Sequence, residues 1–195
     1  MGAAKSDPGD VGSPEPEVGG VEVLIDVAPQ FRGRIDEQLL ERAVQETLNA
    51  ARADRSVGWA DRPTTPAGYP THVPAHAEVS IHVTDDAEMQ QLNAHYRQVD
   101  KPTDVLSFSF VDEEIGRSGH PGHPPGLPFQ LGEIAISFEY AERQASELGH
   151  TLGKELAWLT IHGALQLLGY THYTEEQAVH MEALEQRALR AMGLA

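Results

Sequence analysis

The residues best suited to chemistry in this sequence lie together near its C-terminus. Segment 162–172 reads HGALQLLGYTH and contains His162, Gln166, Gly169 and His172. Positions 162 and 166 are four apart, so in a helix their side chains point toward one spot. Gly169 can supply the left-handed residue that ends a helix, after which the chain can fold His172 back toward that spot. This spacing is typical of zinc sites of the metzincin type.

Two positions in this segment differ from the metalloprotease pattern. A protease of that type has a Glu general base directly after the first His, and a second His four residues after the first. Here those positions hold Gly163 and Gln166. We therefore exclude a metalloprotease. A lone His162 would ordinarily be a core histidine and His172 a turn residue, but together with the helix and Gly169 they favour a metal site.

Composition limits both the ligands and the partners. The chain has no cysteine, so a metal must be held by His, carboxylate or amide oxygen. Its formal net charge of -16 argues against a broad basic surface for nucleic acid, so any RNA contact must be local. Residues 1–20 contain no apolar stretch that could serve as a signal peptide, and no later stretch approaches the roughly 20 apolar residues of a membrane span. We expect a cytoplasmic protein with neither a membrane nor a dinucleotide as partner.

The hydrophobic patterns predict the elements that position segment 162–172. Their predicted order is βαβαββααα, which favours an α+β fold with one mixed sheet of about four strands, packed with helices, and with the metal-site helix near the C-terminus. The predicted strands are 21–27, 78–83, 105–110 and 133–138. The predicted helices are 36–52, 85–96, 139–147, 152–168 and 174–191.

One domain is expected for a chain of 195 residues. Residues 1–20 are rich in Gly, Pro and acidic side chains and are predicted to form a disordered tail. Residues 21–195 then make the folded domain. Two Gly- and Pro-rich stretches without periodicity, about 58–76 and 111–130, are predicted to be flexible insertions in it.

Segment 162–172 resembles the H-G-x-L-H-L-x-G-Y-D-H signature of the YbeY family of endoribonucleases. Residues 93–108, NAHYRQVDKPTDVLSF, are similar to the family's N-x-x-Y-R-x-x-D-x-P-T-D-V-L-S-F block. Residues 131–137, LGEIAIS, match its L-G-D-I-x-I-S strand with Glu for Asp. The resemblance extends over about residues 21–193 in the family's order.

The resemblance implies a single-strand-specific endoribonuclease that acts in 16S rRNA 3′-end maturation and ribosome quality control. Its partners would be single-stranded rRNA and the small ribosomal subunit. One zinc ion held by three His would activate a water that hydrolyses the phosphodiester bond, which needs no Glu at position 163. By this resemblance the metal ligands are His162 and His172, with Gln166 at the third ligand position. Thr171 stands where the family has Asp.

Three side chains are candidates for stabilising the negative charge of the transition state. They are His82, Arg97 and Lys101; His82 occupies a position where many members have Arg. His150 and His180 are nearby in sequence and are alternative candidates for the missing third ligand.

Two functions remain open from the sequence. The first is an active zinc-dependent endoribonuclease. The alternative is a catalytically impaired, ribosome-associated binding protein of the same fold, with weakened or lost zinc. Gln166 keeps the alternative open, because a neutral amide oxygen is a poorer zinc ligand than imidazole.

Overall fold

The structure, a computed structural model, describes residues 20–54, 76–110 and 128–195, and these contain one four-stranded mixed sheet. Its strands are β1 (Val21–Val27), β2 (Ala77–Thr84), β3 (Val105–Ser109) and β4 (Phe129–Ser137). They lie in the order β1-β2-β4-β3. Strand β2 is parallel to both β1 and β4, whereas β3 is antiparallel to β4. The predicted α+β fold with a mixed sheet is confirmed.

Every α-helix in the described ranges begins where the sequence provides a capping side chain. The helices are α1 (Glu37–Ala53), α2 (Asp86–Arg97), α3 (Phe138–Leu148), α4 (Leu152–Leu167) and α5 (Glu175–Met192). A side-chain oxygen before each helix accepts a hydrogen bond from a backbone N–H of its first turn, which otherwise has no partner. The capping residues are Asp36, Asp85, Ser137, Thr151 and Thr174. None of these helices is long and apolar enough to cross a lipid bilayer.

The two faces of the sheet are covered by different helices. Ile81 and Ile134 are buried in the main core together with residues of α1, α4 and α5. Ala135 belongs instead to a smaller cluster with Met89 of α2 and Leu106. Consecutive residues of a strand point to opposite faces, so α4 and α2 lie on opposite sides of the sheet. This division decides which of the predicted site residues can meet.

Strand β4 begins earlier than the predicted range 133–138. It starts at Phe129, so residues 129 and 130 belong to the sheet rather than to the second predicted insertion. Its register with β2 shifts between Glu78 and Val79. Gly132 beside this shift has φ +145 and approaches the backbone oxygen of Phe108 so closely that no Cβ would fit. The shift interrupts the alternation of side chains by which a strand is recognised in sequence.

The end of β4 also differs from the prediction. The strand stops at Ser137, whose side chain caps α3, and Phe138 becomes the first residue of that helix. The Phe138 ring stacks on Phe31 with centroids 4.4 Å apart and is fully buried. An apolar residue directly after an apolar strand continues the strand pattern in sequence, so only the tertiary contact reveals the boundary.

The predicted tail and the two predicted insertions fall almost entirely outside the described residues. Of the tail only residue 20 is described, and residues 55–75 and 111–127 are not. Their assignments stay predictions.

Candidate active site

Helix α4 carries His162 and Gln166 four residues apart and ends directly after them. The backbone N–H of Gly169 donates to the carbonyl of Gln166 at 2.8 Å, and the following N–H donates to the carbonyl of Leu165 at 2.9 Å. Gly169 has φ +79, the left-handed conformation that such a helix end requires. The predicted role of Gly169 is confirmed. The turn brings the ring of His172 to 5.5 Å from that of His162, measured between centroids.

Helix α5 fixes the orientation of the His162 ring. Nδ1 of His162 lies 2.7 Å from Oε1 of Glu185, and Oε2 of the same carboxylate accepts the indole N–H of Trp158 at 3.1 Å. Glu185 is only 7% exposed. A carboxylate accepts hydrogen bonds, so the imidazole tautomer that satisfies Glu185 carries its proton on Nδ1 and its lone pair on Nε2. A carboxylate partner of this kind orients metal-binding and acid–base histidines.

Gln166 occupies the other side of the same ring. Its side-chain nitrogen lies 2.8 Å from Nε2 of His162. Because Glu185 fixes the proton on Nδ1, Nε2 is the acceptor and the Gln166 amide is the donor. In this arrangement Gln166 therefore directs an N–H, not its carbonyl oxygen, at the nitrogen that would bind a metal.

His172 completes the group from the loop between α4 and α5. Its side chain is exposed, and Thr171 before it is partly buried. The His162 and His172 rings are tilted by 47° to one another at their 5.5 Å separation. An ion with bonds of about 2.0–2.1 Å to imidazole nitrogen can bridge rings at such a distance. The structure thus places two of the predicted residues, Gln166 and His172, each beside His162.

Gly163 explains why this site has no glutamate after its first histidine. A Cβ at position 163 would lie 2.7 Å from Cγ2 of Ile134 and 3.1 Å from the hydroxyl of Ser107. That hydroxyl also donates to the Gly163 carbonyl at 3.3 Å. The helix backbone rests directly on β3 and β4 here, so a longer side chain has no room. The packing agrees with the exclusion of a metalloprotease.

His82 is not brought to His162. It is paired in register with Ala135 and therefore points to the face of the sheet that α2 covers. Its Nδ1 lies 3.1 Å from a carboxylate oxygen of Asp26, and its Nε2 lies 3.3 Å from one of Glu88. A His between two carboxylates on the opposite face has no path to a phosphate held at His162.

Arg97 and Lys101 lie on the surface near the end of α2. Arg97 is the last residue of that helix, and Lys101 follows in the loop that leads into β3. Both are exposed. The side chain of Asn93 donates to the Lys101 carbonyl at 2.8 Å and anchors this loop to α2. Within residues 20–54, 76–110 and 128–195, no hydrogen bond or ion pair joins either cation to His162.

The two spare histidines each face a different carboxylate. Nε2 of His150 lies 3.0 Å from Oε2 of Glu155, near the start of α4 and about 18 Å from His162 at 1.5 Å per residue. Nε2 of His180 lies 2.9 Å from Oδ2 of Asp54. Neither contact directs an imidazole toward the third ligand position.

Comparison with known proteins decides the family. A sequence model described as Endoribonuclease YbeY matches residues 32–193. Endoribonuclease YbeY of Roseiflexus sp. (strain RS-1) is 40% identical over 173 residues, covering 88% of this chain and 93% of its own length. That of Heliobacterium modesticaldum is 45% identical over 127 residues, covering 65% of this chain and 75% of its own. This chain belongs to the YbeY endoribonuclease family.

A solved structure is less similar to this chain than these sequence relatives are. The solution structure of a Thermotoga maritima protein covers 88% of this chain and 91% of its own at 21% identity, with a TM-score of 0.49. The assignment to the YbeY family therefore comes from the sequence relatives.

Sequence reasoning missed the role of Glu185 in this YbeY-family site. Its neighbours three and four residues away on α5 are Met181, Ala188 and Leu189, all buried. Glu185 therefore falls within the apolar stripe of the helix, where a carboxylate is rarely found without a partner. That position was the available signal, although the partner, 23 residues away, becomes visible only in the fold.

The donors present fit a divalent ion only in part. His162, oriented by Glu185, and His172 offer two imidazoles on one side of α4. Within residues 20–54, 76–110 and 128–195 no three His, Cys, Asp or Glu form a group suited to a metal. The two imidazoles suit zinc, whereas the third position is held by an amide that faces His162 with its donor. This chain therefore retains two of the three imidazoles that the resemblance implies.

Proposed function

We propose that this chain cleaves single-stranded RNA at the site formed by His162 and His172. The supporting observation is the hydrogen bond between Glu185 and Nδ1 of His162, which leaves Nε2 as the basic nitrogen. A buried carboxylate is retained beside a histidine when the orientation of that ring matters. Membership of an endoribonuclease family supplies the reaction class: hydrolysis of a phosphodiester bond.

A zinc ion held by His162 and His172 would supply water with a pKa lowered to about 7. The protein's own groups have other tasks. Glu185 holds the His162 ring in place, and its second oxygen is fixed by the Trp158 indole. The close contact of Gly163 with Ser107 and Ile134 holds α4 against the sheet. The His162 imidazole therefore keeps a fixed position relative to the sheet.

The RNA contact is proposed to pass around the β3 edge of the sheet, from the site on α4 to the end of α2. Strand β3 touches both places, because Ser107 contacts Gly163 and Phe108 packs against Tyr96. Arg97 and Lys101 are exposed there, and Tyr96 next to them is 58% exposed. Cations that meet phosphates and an aromatic ring that stacks on a base are the usual elements of single-strand recognition. Such a small patch agrees with the local contact that a net charge of -16 requires.

The substrate proposed is the 3′ end of precursor 16S rRNA on the small ribosomal subunit, in maturation and in ribosome quality control. This part of the proposal is supported by the resemblance of residues 93–108 and 162–172 to the family's blocks. A cytoplasmic location goes with it.

The test compares single-stranded RNA cleavage by the wild type with His162→Ala and His172→Ala, with zinc added and with chelator. Loss of cleavage in both variants, with unchanged melting temperature, is expected. His76→Ala is the matched control, since His76 is exposed at the start of β2. Unchanged cleavage in either site variant would show that the reaction does not occur there.

The alternative function, a ribosome-associated binding protein with impaired catalysis, is favoured by one observation, the amide donor of Gln166 on the nitrogen of His162. It predicts binding of small subunits without RNA cleavage at any zinc concentration. A subunit-binding assay run beside the cleavage assay separates the two functions.

A further inference from the structure

The side chain of Gln166 competes with a metal ion for His162. Only one group at a time can use the lone pair of Nε2, and the Gln166 amide nitrogen lies 2.8 Å from it. A zinc ion would need the same lone pair, at about 2.0–2.1 Å. Gln166 must therefore turn away before His162 can bind an ion.

The direction of this hydrogen bond follows from the second contact of the ring. Oxygen and nitrogen of a Gln amide are assigned from their surroundings. Here the Glu185 carboxylate, 2.7 Å from Nδ1, accepts a hydrogen bond from that nitrogen, so in the tautomer with one N–H the other nitrogen, Nε2, has no proton. If the amide were reversed, its oxygen would face the lone pair of Nε2 without a proton between them. The donor orientation is the one that satisfies both groups.

We infer that Gln166 is an intramolecular competitor of zinc at His162 rather than a weak third ligand. The inference rests on the proposed site at His162 and His172. A ligand and a competitor predict opposite changes in zinc affinity when Gln166 is substituted. A ligand that is removed lowers metal affinity. A competitor that is removed raises it.

The consequence for the protein is that the His162 ring is oriented before any ion binds, while Gln166 occupies its metal-binding nitrogen. The ring of His162 is held by Glu185 on one nitrogen and by Gln166 on the other, so its polar atoms are satisfied in the ion-free protein. In a site of three imidazoles the free nitrogens would instead face one another. Gln166 thus lowers the apparent affinity by the free energy of the hydrogen bond that the ion must displace.

The experiment measures zinc binding alone, by calorimetric titration of the full chain in the presence of a competing chelator. Gln166→Ala and Gln166→Leu both remove the amide, and Leu keeps most of its volume in case the smaller residue weakens the fold. In both variants zinc should bind about two- to tenfold more tightly than in the wild type, which corresponds to one ordinary hydrogen bond. Gln38→Ala, an exposed position on α1, is the matched control and should not change the affinity.

Lower or equal affinity in both Gln166 variants would overturn the inference. His162→Ala is titrated beside them: if it abolishes zinc binding while the Gln166 variants bind more weakly, the proposed site stands and Gln166 is a ligand. If His162→Ala binds zinc as the wild type does, the proposed site itself is wrong. Nitrogen-15 spectra of histidine-labelled, zinc-free protein report the tautomer of His162 directly. They should show the proton on Nδ1. A proton on Nε2 would contradict the inference.

Discussion

Glu185 of α5 and His162 of α4 are joined by a hydrogen bond of 2.7 Å between Oε1 and Nδ1. In Glu185→Gln the side chain keeps its shape, but one of its two acceptors becomes an NH2 that meets the N–H of either His162 or Trp158. We expect RNA cleavage to fall about 10–100-fold, the usual effect of losing such a partner.

The loss should appear in kcat rather than in KM, since Glu185 orients the imidazole and does not touch the RNA. Steady-state cleavage kinetics with Glu182→Gln as control, an exposed position on the same helix, provide the measurement. Equal losses in both variants would contradict an orienting role.

Replacing Gln166 by His supplies the third imidazole that the resemblance implies and removes the competing amide in one step. Zinc affinity should rise by at least about 10–100-fold, and cleavage should rise with it. Zinc titration and an RNA assay on the same preparation give both values. Tighter zinc without cleavage supports the binding-protein alternative. No gain in zinc affinity would mean that positions 162, 166 and 172 do not converge.

Gly163→Ala tests the contact of α4 with the sheet. Alanine favours a helix over glycine by roughly 1 kcal/mol, but overpacking a core typically costs about 1–3 kcal/mol, and here the new methyl meets the branched carbon of Ile134 at 2.7 Å. We expect a net loss of stability, seen as a lower midpoint in urea unfolding. Gly153→Ala in the same helix is the control, because its new methyl lies 3.3 Å from a terminal methyl of Leu39, which can move. That variant should be neutral or more stable.

Burial raises the pKa of the Glu155 carboxyl, although His150 opposes the shift, and Asp104 adds to it. A raised pKa means that the folded state holds the proton more tightly than the unfolded state. Its contribution to stability is therefore full below the unfolded pKa of about 4.3 and is lost as the pH rises through the folded pKa. Glu155→Gln keeps a neutral side chain at every pH.

The melting temperature of Glu155→Gln minus that of the wild type should therefore increase as the pH is raised from about 4 toward neutral. Thermal melts over this range measure the difference, with the exposed Glu147→Gln as control. A difference that shrinks as the pH rises would contradict a raised pKa.

The parts of the fold that depend on local sequence were predictable. The predicted helices 36–52 and 85–96 start at Asp36 and Asp85, which cap them in the structure, because a cap acts on the turn that follows it directly. Gly169 was recognised because the left-handed conformation is a property of the residue itself. The proximity of His162 and Gln166 was predictable in the same way, because residues four apart share one face of any helix.

The parts of the fold and of the site that depend on distant contacts were not predictable from the sequence. Phe138 continues the apolar pattern of β4, and its stacking on Phe31 could not be read from its neighbours. His82 lies on the α2 face because of the register of β2, so its alignment with an Arg of the family says nothing about distance from His162. Glu185 reaches His162 only because α5 packs beside α4.

Because the orienting carboxylate and the imidazole belong to different helices, separating α5 from α4 would undo the site. Any ligand that needs the oriented ring binds only while the two helices are together, so it must hold them together in return. Slower amide hydrogen exchange along α5 would be the sign of that coupling. The equilibrium between packed and separated helices would then be linked to ligand binding. The rate at which α5 separates from α4 would set an upper limit on the lifetime of the intact site.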